Sequence, residues 1–342
     1  MKTGHARTGL IATLSTLIAL TAAGCEDATP TRTGQPEAEV SAARIGPGAP
    51  GLVEITARGM TLDGPEEIPS GWTTFRFHNE SGMIHFAALQ KLPEGVGIDD
   101  QQAEVAPVFQ EGMDLLNEGQ VDEALAAFGQ LPAWFFDVVF LGGPGLTAAG
   151  VTGETTVHLE PGTYLLECYV KTNGVFHSFD ADPETYGMVM EITVTDEDSG
   201  AEAPRPTLDV AISSGGDLYS GGIEVDGALR PGRHTVAVHF EDQAVHEHFL
   251  GHDVHLAQLG PDVDLDALAT WMNWTGPTGL QTPAPAGVKF LGGVHEMPAG
   301  ETGYLDVLLT RGCYAWIAEV PDPAGKGMLQ TFSVPAGRGE CP

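Results

Sequence analysis

Two halves of this 342-residue sequence repeat each other at a constant offset of 150 residues. A period of this length is too long for a solenoid array and fits two duplicated domains, each large enough for its own core. The segments that match at the offset of 150 are Leu141–Gly143 with Leu291–Gly293, Gly150–Gly153 with Gly300–Gly303, and Gly162–Val170 with Gly312–Val320. Shorter matches at other offsets extend the repeat on both sides: His85–Leu89 with His255–Leu259, and Gly187-Met188 with Gly327-Met328.

Both halves are predicted to be all-β. Apolar and polar residues alternate in runs such as Trp72–Phe77, and 45 Gly and 24 Pro supply frequent turns, which is typical of sandwiches of short strands. The period changes between Asp99 and Phe128, where the apolar spacing predicts one or two amphipathic helices broken near Asn117–Gly119. A shorter helix is predicted over Asp262–Trp271, at the corresponding place in the second half.

The N-terminus has the pattern of an export signal. Lys2 and Arg7 precede an apolar run, Leu10–Leu20, which is too short to span a membrane. The segment Thr21–Cys25 then resembles a bacterial lipoprotein signal, in which Cys25 is lipidated and becomes the first mature residue. The alternative is an ordinary secretory signal cleaved nearby. Both interpretations predict an exported protein of the cell envelope, and the first predicts a lipid anchor on the periplasmic or outer face.

These patterns predict the organisation of the whole chain. A signal peptide over residues 1–24 and a flexible linker over 25–50 precede a first domain over 51–197, an acidic linker over 198–206, and a second domain over 207–342.

Export makes disulfides permissible, and three cysteines follow Cys25. Cys341 lies one residue from the C-terminus, so it is predicted to tie the tail back to the strand at Cys313. Cys168 is then a free thiol, for which metal ligation and inert burial are the two explanations.

The charge excludes some partners. The formal net charge is -32, from 47 acidic and 15 basic residues, which argues against nucleic acid and against anionic membrane surfaces. Contact with a membrane is therefore expected only through the lipid anchor.

Phe77–His85 follows the plastocyanin pattern F-x-N-x-x-G-x-x-H without a gap. Further along the chain, the strand that ends at Cys168, the polar loop with His177, and Gly187-Met188 complete the order Cys, His, Met on one loop between two strands. In these features the chain resembles the cupredoxins, and more closely the exported plastocyanin-like domains of bacteria. The resemblance covers most of residues 51–197, and residues 207–342 as a degenerate copy.

The resemblance implies two tandem Greek-key β-sandwiches, each with a helical insertion. It implies one copper ion in the first domain, held by His85, Cys168, His177 and Met188, because a type 1 site needs imidazole, thiolate and a weak axial thioether. The implied function is one-electron transfer with a redox partner protein, or copper handling. The alternative is a metal-free tandem sandwich that acts as a binding or scaffold protein.

The second half is not expected to build the same site. It keeps His255 and Met328, but Ala318 stands where the first half has Cys168, and the following loop is ten residues shorter and lacks a counterpart of His177. The second domain is therefore predicted to be a metal-free partner of the first.

The densest histidine cluster lies elsewhere in the second half. It comprises His246, His248, His252 and His255, and His295 could join it. Imidazoles suit copper or zinc, but a hydrated polar loop is the alternative.

The chain is predicted not to be an enzyme. Copper oxidases and nitrite reductases resemble one another in a His-Cys-His core, which links the type 1 copper to neighbouring coppers. Here Glu167 and Tyr169 flank Cys168, so that link is absent.

Overall fold

A computed structural model describes residues 48–182, 185–246, 251–335 and 341–342. The predicted signal peptide, the lipidation site at Cys25, most of the first linker, and His248 lie outside these ranges. Within them the protein is built mainly of strands, and the predicted all-β sandwich architecture is confirmed.

The described residues of the first half form ten strands. They are β1 (Gly51–Arg58), β2 (Thr61–Asp63), β3 (Glu67–Asn79), β4 (Ala88–Lys91), β5 (Val139–Phe140), β6 (Thr152–Leu159), β7 (Gly162–Glu167), β8 (Lys171–Thr172), β9 (Val175–Phe176) and β10 (Val189–Asp198). In the part of the second half that the structure describes there are eight: β11 (Leu208–Ser213), β12 (Gly222–Gly227), β13 (Gly232–Phe240), β14 (Val254–Leu259), β15 (Val288–Val294), β16 (Thr302–Leu309), β17 (Gly312–Ile317) and β18 (Leu329–Val334).

The two halves have the same strand order. In the first, one layer contains β1, β3 and β6, and the other has the order β10-β7-β4-β5. In the second, β11, β13 and β16 form one layer, and the other has the order β18-β17-β14-β15. Alternate residues of these strands are buried between the layers, as the sequence alternation predicts. The repeat therefore reflects a duplicated sandwich.

The long strand β3 belongs to both layers of the first half. Its first residues pair with β10, and Gly71–His78 pair with β6. The change occurs at Gly71, where φ is +103° and a Cβ atom would lie 2.5 Å from Ser199 Oγ. A glycine is needed here because the backbone bends in a conformation that other residues rarely adopt.

The halves are joined edge to edge. Strand β16 pairs with β6 in three antiparallel positions, which makes one layer of each half part of a continuous sheet. A second contact brings two glycines together, because a Cβ atom on Gly145 would lie 2.8 Å from Gly293 Cα. The two predicted domains therefore pack backbone against backbone.

One part of the predicted repeat is wrong by three residues. Ala88 lies opposite Glu167 in the first half, whereas His255 lies opposite Ile317 in the second. Because Glu167 and Ile317 correspond at the offset of 150, His255 takes the place of Ala88 and does not correspond to His85. By the same count, Asp253 corresponds to Phe86. Both strands are short, apolar and alternating, and both contain the pattern His-x-Ala-x-Leu. The sequence alone therefore favours the wrong register.

Both predicted helical insertions are present. The first contains α1 (Ile98–Asp100), a π-helical turn (Gln101–Val105), α2 (Ala106–Asn117) and α3 (Val121–Phe128), followed by a 3-10 turn (Ala133–Asp137). The break predicted near Asn117–Gly119 separates α2 from α3. The second insertion is α4 (Leu265–Met272), which starts later than predicted because the Asp264 side chain caps it by accepting from Ala267 N–H.

Cys313 and Cys341 form a disulfide, and Cys168 is the free cysteine of the described ranges. The disulfide ties the C-terminal residues to β17. None of the helices in the described parts of the chain has the length and apolar character needed to cross a bilayer.

Candidate metal centre

Four predicted ligands come from one end of the first sandwich. His85 lies on the loop between β3 and β4, Cys168 directly follows β7, His177 directly follows β9, and Met188 directly precedes β10. Their side chains are buried, with exposures of 0%, 0%, 1% and 0%. Strand ends of this kind present side chains from different parts of the chain to one place on a rigid scaffold.

A tight hairpin explains how His177 reaches Cys168 although eight residues separate them in the sequence. Strands β8 and β9 pair around Asn173 and Gly174, whose φ angles are 53° and 85°. Two successive positive φ angles are those of the type I′ turn, for which Asn-Gly is the preferred sequence. His177 N–H then donates to Val170 O at 2.8 Å, so the loop folds back beside the end of β7.

Backbone hydrogen bonds continue this arrangement to Met188. Its N–H donates to His177 O at 2.6 Å, and Cys168 N–H donates to Met188 O at 3.0 Å. Gly187 permits the approach, because a Cβ atom there would lie 2.1 Å from the carbonyl carbon of Ser178. Gly187 therefore has a steric reason for its position directly before Met188.

Asn79 holds the loop that carries His85. Its side-chain amide donates to the carbonyl oxygens of Met83 and Thr147, each at 2.8 Å. The backbone of His85 also exchanges two hydrogen bonds with Thr147. The Asn of the plastocyanin-like pattern is therefore a structural residue that fixes the position of the histidine six residues later.

The helical insertion supports the loop from the other side. Gln110 Oε1 accepts from Phe176 N–H at 2.9 Å. Gln102 donates to Ser178 O at 3.0 Å and accepts from Gly187 N–H at 2.8 Å. These two glutamines hold the segments on both sides of His177, so the insertion and the long loop form one unit.

Three donor atoms converge. Cys168 Sγ lies 3.5 Å from His85 Nδ1 and 3.8 Å from His177 Nδ1, and the two Nδ1 atoms are 3.1 Å apart. Ligands bound at about 2.0–2.3 Å to one ion lie at separations of this size. Thr172 Oγ1 lies 2.9 Å from His177 Nε2 and orients the ring, as partners of metal-binding histidines do. Two imidazoles and a thiol, with a buried methionine beside them, fit copper, and the predicted cofactor is supported.

Burial keeps these groups uncharged. It lowers the pKa of His85 to about 4, and burial together with repulsion from His85 lowers the pKa of His177 to about 3. Burial raises the pKa of Cys168 to about 12. At neutral pH both imidazoles therefore have free lone pairs, whereas the thiol must lose its proton to bind a metal ion.

The structure divides the other predicted histidine cluster. His246 Nε2 lies 3.4 Å from His252 Nδ1, and His252 Nε2 lies 3.0 Å from the backbone oxygen of Asp242. His255 instead lies with Asp253, His295 and Glu319, whose potential ligand atoms are all within 4.8 Å of one another.

Sequence reasoning missed Asp253 and Glu319. A signal was present, since Glu319 follows the apolar strand β17 by two residues and Asp253 directly precedes the buried strand β14. In so acidic a chain, neither carboxylate stands out from those on the surface.

Comparisons with known proteins give structural matches alone. No protein-family model matches the sequence, and no curated protein matches it either. Among solved structures, auracyanin A, a "blue" copper protein from the green thermophilic photosynthetic bacterium Chloroflexus aurantiacus, is 24% identical over 43% of this chain and 100% of its own, with a TM-score of 0.26. At this identity the likeness concerns the fold alone.

Other matches span both halves. A multicopper oxidase is 13% identical over 83% of this chain and 87% of its own, with a TM-score of 0.20. The copper-containing nitrite reductase of Thermus scotoductus SA-01 is 12% identical over 85% of this chain and 63% of its own, with a TM-score of 0.21. At these scores, no ligand position or activity is transferred to this chain.

One prediction requires correction. The chain was predicted not to be an enzyme, because Cys168 lacks flanking histidines. The matches that span both halves contradict this prediction, since they are a nitrite reductase, a laccase and multicopper oxidases.

The pKa values of the centre lead to a prediction about protons. Binding of Cu(II) at pH 7 should release about one proton per ion, from Cys168, because the two imidazoles are already neutral. Since the thiol remains protonated up to a pKa of about 12, affinity should rise about tenfold per pH unit between roughly pH 6 and 8. Calorimetric titration in buffers of different ionisation enthalpy measures the proton count. A Cys168→Ser variant should release none, and release of no proton by the unsubstituted protein would contradict ligation by the thiolate.

Proposed function

We propose that the first half binds one copper ion through His85, Cys168, His177 and Met188, and that this ion transfers single electrons to and from a redox partner protein. The observation that carries the proposal is the convergence of Cys168 Sγ with the Nδ1 atoms of two histidines, at separations of 3.1–3.8 Å in a buried site.

The support around the donors favours electron transfer. Backbone hydrogen bonds fix Cys168 and His177 to the same short segment, and two glutamines of the insertion hold the loop. A scaffold that keeps the ligands in place in both oxidation states lowers the rearrangement that accompanies each electron. Cys168 is also a free thiol in a chain that contains a disulfide, and ligation gives that thiol a role.

Addition of Cu(II) to the metal-free protein should produce the intense visible absorption of a blue copper site, because the Cys168 thiolate donates charge to the ion. Cys168→Ser and His177→Gln should abolish the band. His158→Gln, which replaces an exposed histidine on β6, is the matched control and should retain it. Met188→Leu should keep the colour and change the reduction potential, because a weak axial ligand tunes it.

If the folded protein stays colourless and binds no copper tightly, the proposal fails. That result would favour the alternative, a metal-free binding or scaffold protein. Voltammetry of the blue form separates electron transfer from simple storage of copper, because only an electron-transfer site should show reversible one-electron reduction.

We further propose that the chain is exported and anchored to the cell envelope by a lipid on Cys25. The sequence of residues 1–25 supports this, and the disulfide between Cys313 and Cys341 fits an oxidising compartment. In cells grown with labelled palmitate, the protein should carry the label and fractionate with membranes. Cys25→Ser should carry none, whereas label retained by Cys25→Ser would exclude this anchor.

A further inference from the structure

A second buried cluster lies in the half that was predicted to be free of metal. It contains Asp253 before β14, His255 within β14, His295 after β15 and Glu319 after β17. The exposures of these residues are 2%, 0%, 2% and 1%. One potential ligand atom from each lies within 4.8 Å of those from the others. Four separate segments therefore deliver polar groups to one point in the interior.

Several polar atoms of the cluster have no partner in the protein. Both carboxylate oxygens of Glu319 and Nδ1 of His295 are buried without a hydrogen-bond partner. Leaving such groups buried and unpaired destabilises the folded protein, so a ligand that pairs with them is expected.

The fold does not require acids here. Asp253 corresponds to Phe86 of the first half, and Glu319 corresponds to Tyr169 at the offset of 150. Phe86 and Tyr169 pack edge to face with ring centroids 4.5 Å apart. The same position in the duplicated sandwich is therefore filled by two aromatic rings in one half and by two carboxyl groups in the other.

The four residues differ in what they can offer. Leu146 N–H donates to His255 Nδ1 at 3.1 Å, so the proton of the neutral ring is on Nε2, which lies 2.6 Å from Asp253 Oδ2. His255 is thus suited to orient Asp253 and not to bind a metal ion itself. The hydroxyl of Tyr169 lies 3.2 Å from His295 Nε2 and orients that ring.

We propose that Asp253, His295 and Glu319 bind a divalent first-row transition-metal ion, with His255 as the residue that positions Asp253. Two carboxylates and one imidazole are hard-to-borderline ligands, which suit ions such as Zn(II) and Mn(II). Glu319 N–H also donates to Asp253 Oδ1 at 2.7 Å, which fixes the two acids relative to each other. A bound ion would contact the carboxylate oxygens of Glu319, which have no hydrogen-bond partner in the protein.

The test uses a Cys168→Ser background, in which the copper centre lacks its thiolate. Chelator-treated protein is incubated separately with Zn(II) and Mn(II), dialysed, and analysed for metal by mass spectrometry. At least one of the two ions should be retained at one per chain. Because this background does not depend on the copper centre, the result is independent of whether the proposed electron-transfer function is correct.

Glu319→Gln, added to the same background, should abolish retention, because the amide keeps the shape and loses the charge. The matched control is Glu167→Gln. Glu167 is also a buried acid, but Gln90 and Gln101 already donate to its Oε2, so retention should be unchanged. His255→Gln should weaken binding by about 10–100-fold while one ion per chain still binds at saturation, as expected of a residue that orients a ligand.

Circular dichroism checks that each variant is folded. The proposal is overturned if the folded Cys168→Ser protein retains neither ion, or if Glu319→Gln retains as much metal as Glu167→Gln does. A rise in the unfolding temperature on addition of the retained ion, present for Glu167→Gln and absent for Glu319→Gln, would support it.

Discussion

The hydrogen bond from Met188 N–H to His177 O, continued by that from Cys168 N–H to Met188 O, is the contact on which the candidate copper centre depends. These two hydrogen bonds close the loop that runs from Cys168 to Met188. Without them, bringing the donor atoms together would cost conformational entropy. The Asn173-Gly174 hairpin shortens the path inside that loop, and Gln102 and Gln110 hold it from outside. The donors are therefore placed by the backbone before any ion arrives.

Much of this could be predicted from the sequence, for physical reasons. The alternation of Trp72–Phe77 and the offset of 150 residues report directly on strands and on duplication. The candidate ligands were implied by the resemblance to cupredoxins, and Cys168 was also the thiol left over after pairing Cys313 with Cys341. The position of His177 was not determined by spacing alone. It depends on a hairpin whose signal was the Asn-Gly dipeptide.

The rest could not be predicted because it depends on register and on contacts between segments far apart in sequence. A slip of three residues in the β14 match hid the correspondence of Asp253 with Phe86. Glu319 is buried by contacts with residues far away in the sequence, which no local pattern indicates. The two halves also meet beside the candidate copper centre, because the hydroxyl of Tyr169, the residue after Cys168, lies 3.2 Å from His295 Nε2 of the second half.

The central claim, that two imidazoles and one thiolate of the first half bind copper together, is tested most directly by X-ray absorption spectroscopy at the copper edge. The experiment uses protein loaded with less than one equivalent of copper and carrying Glu319→Gln, so that the second cluster does not compete. The spectrum should require one sulfur and two nitrogen neighbours within about 2.3 Å of the ion. A copper ion surrounded only by nitrogen and oxygen neighbours would contradict the account.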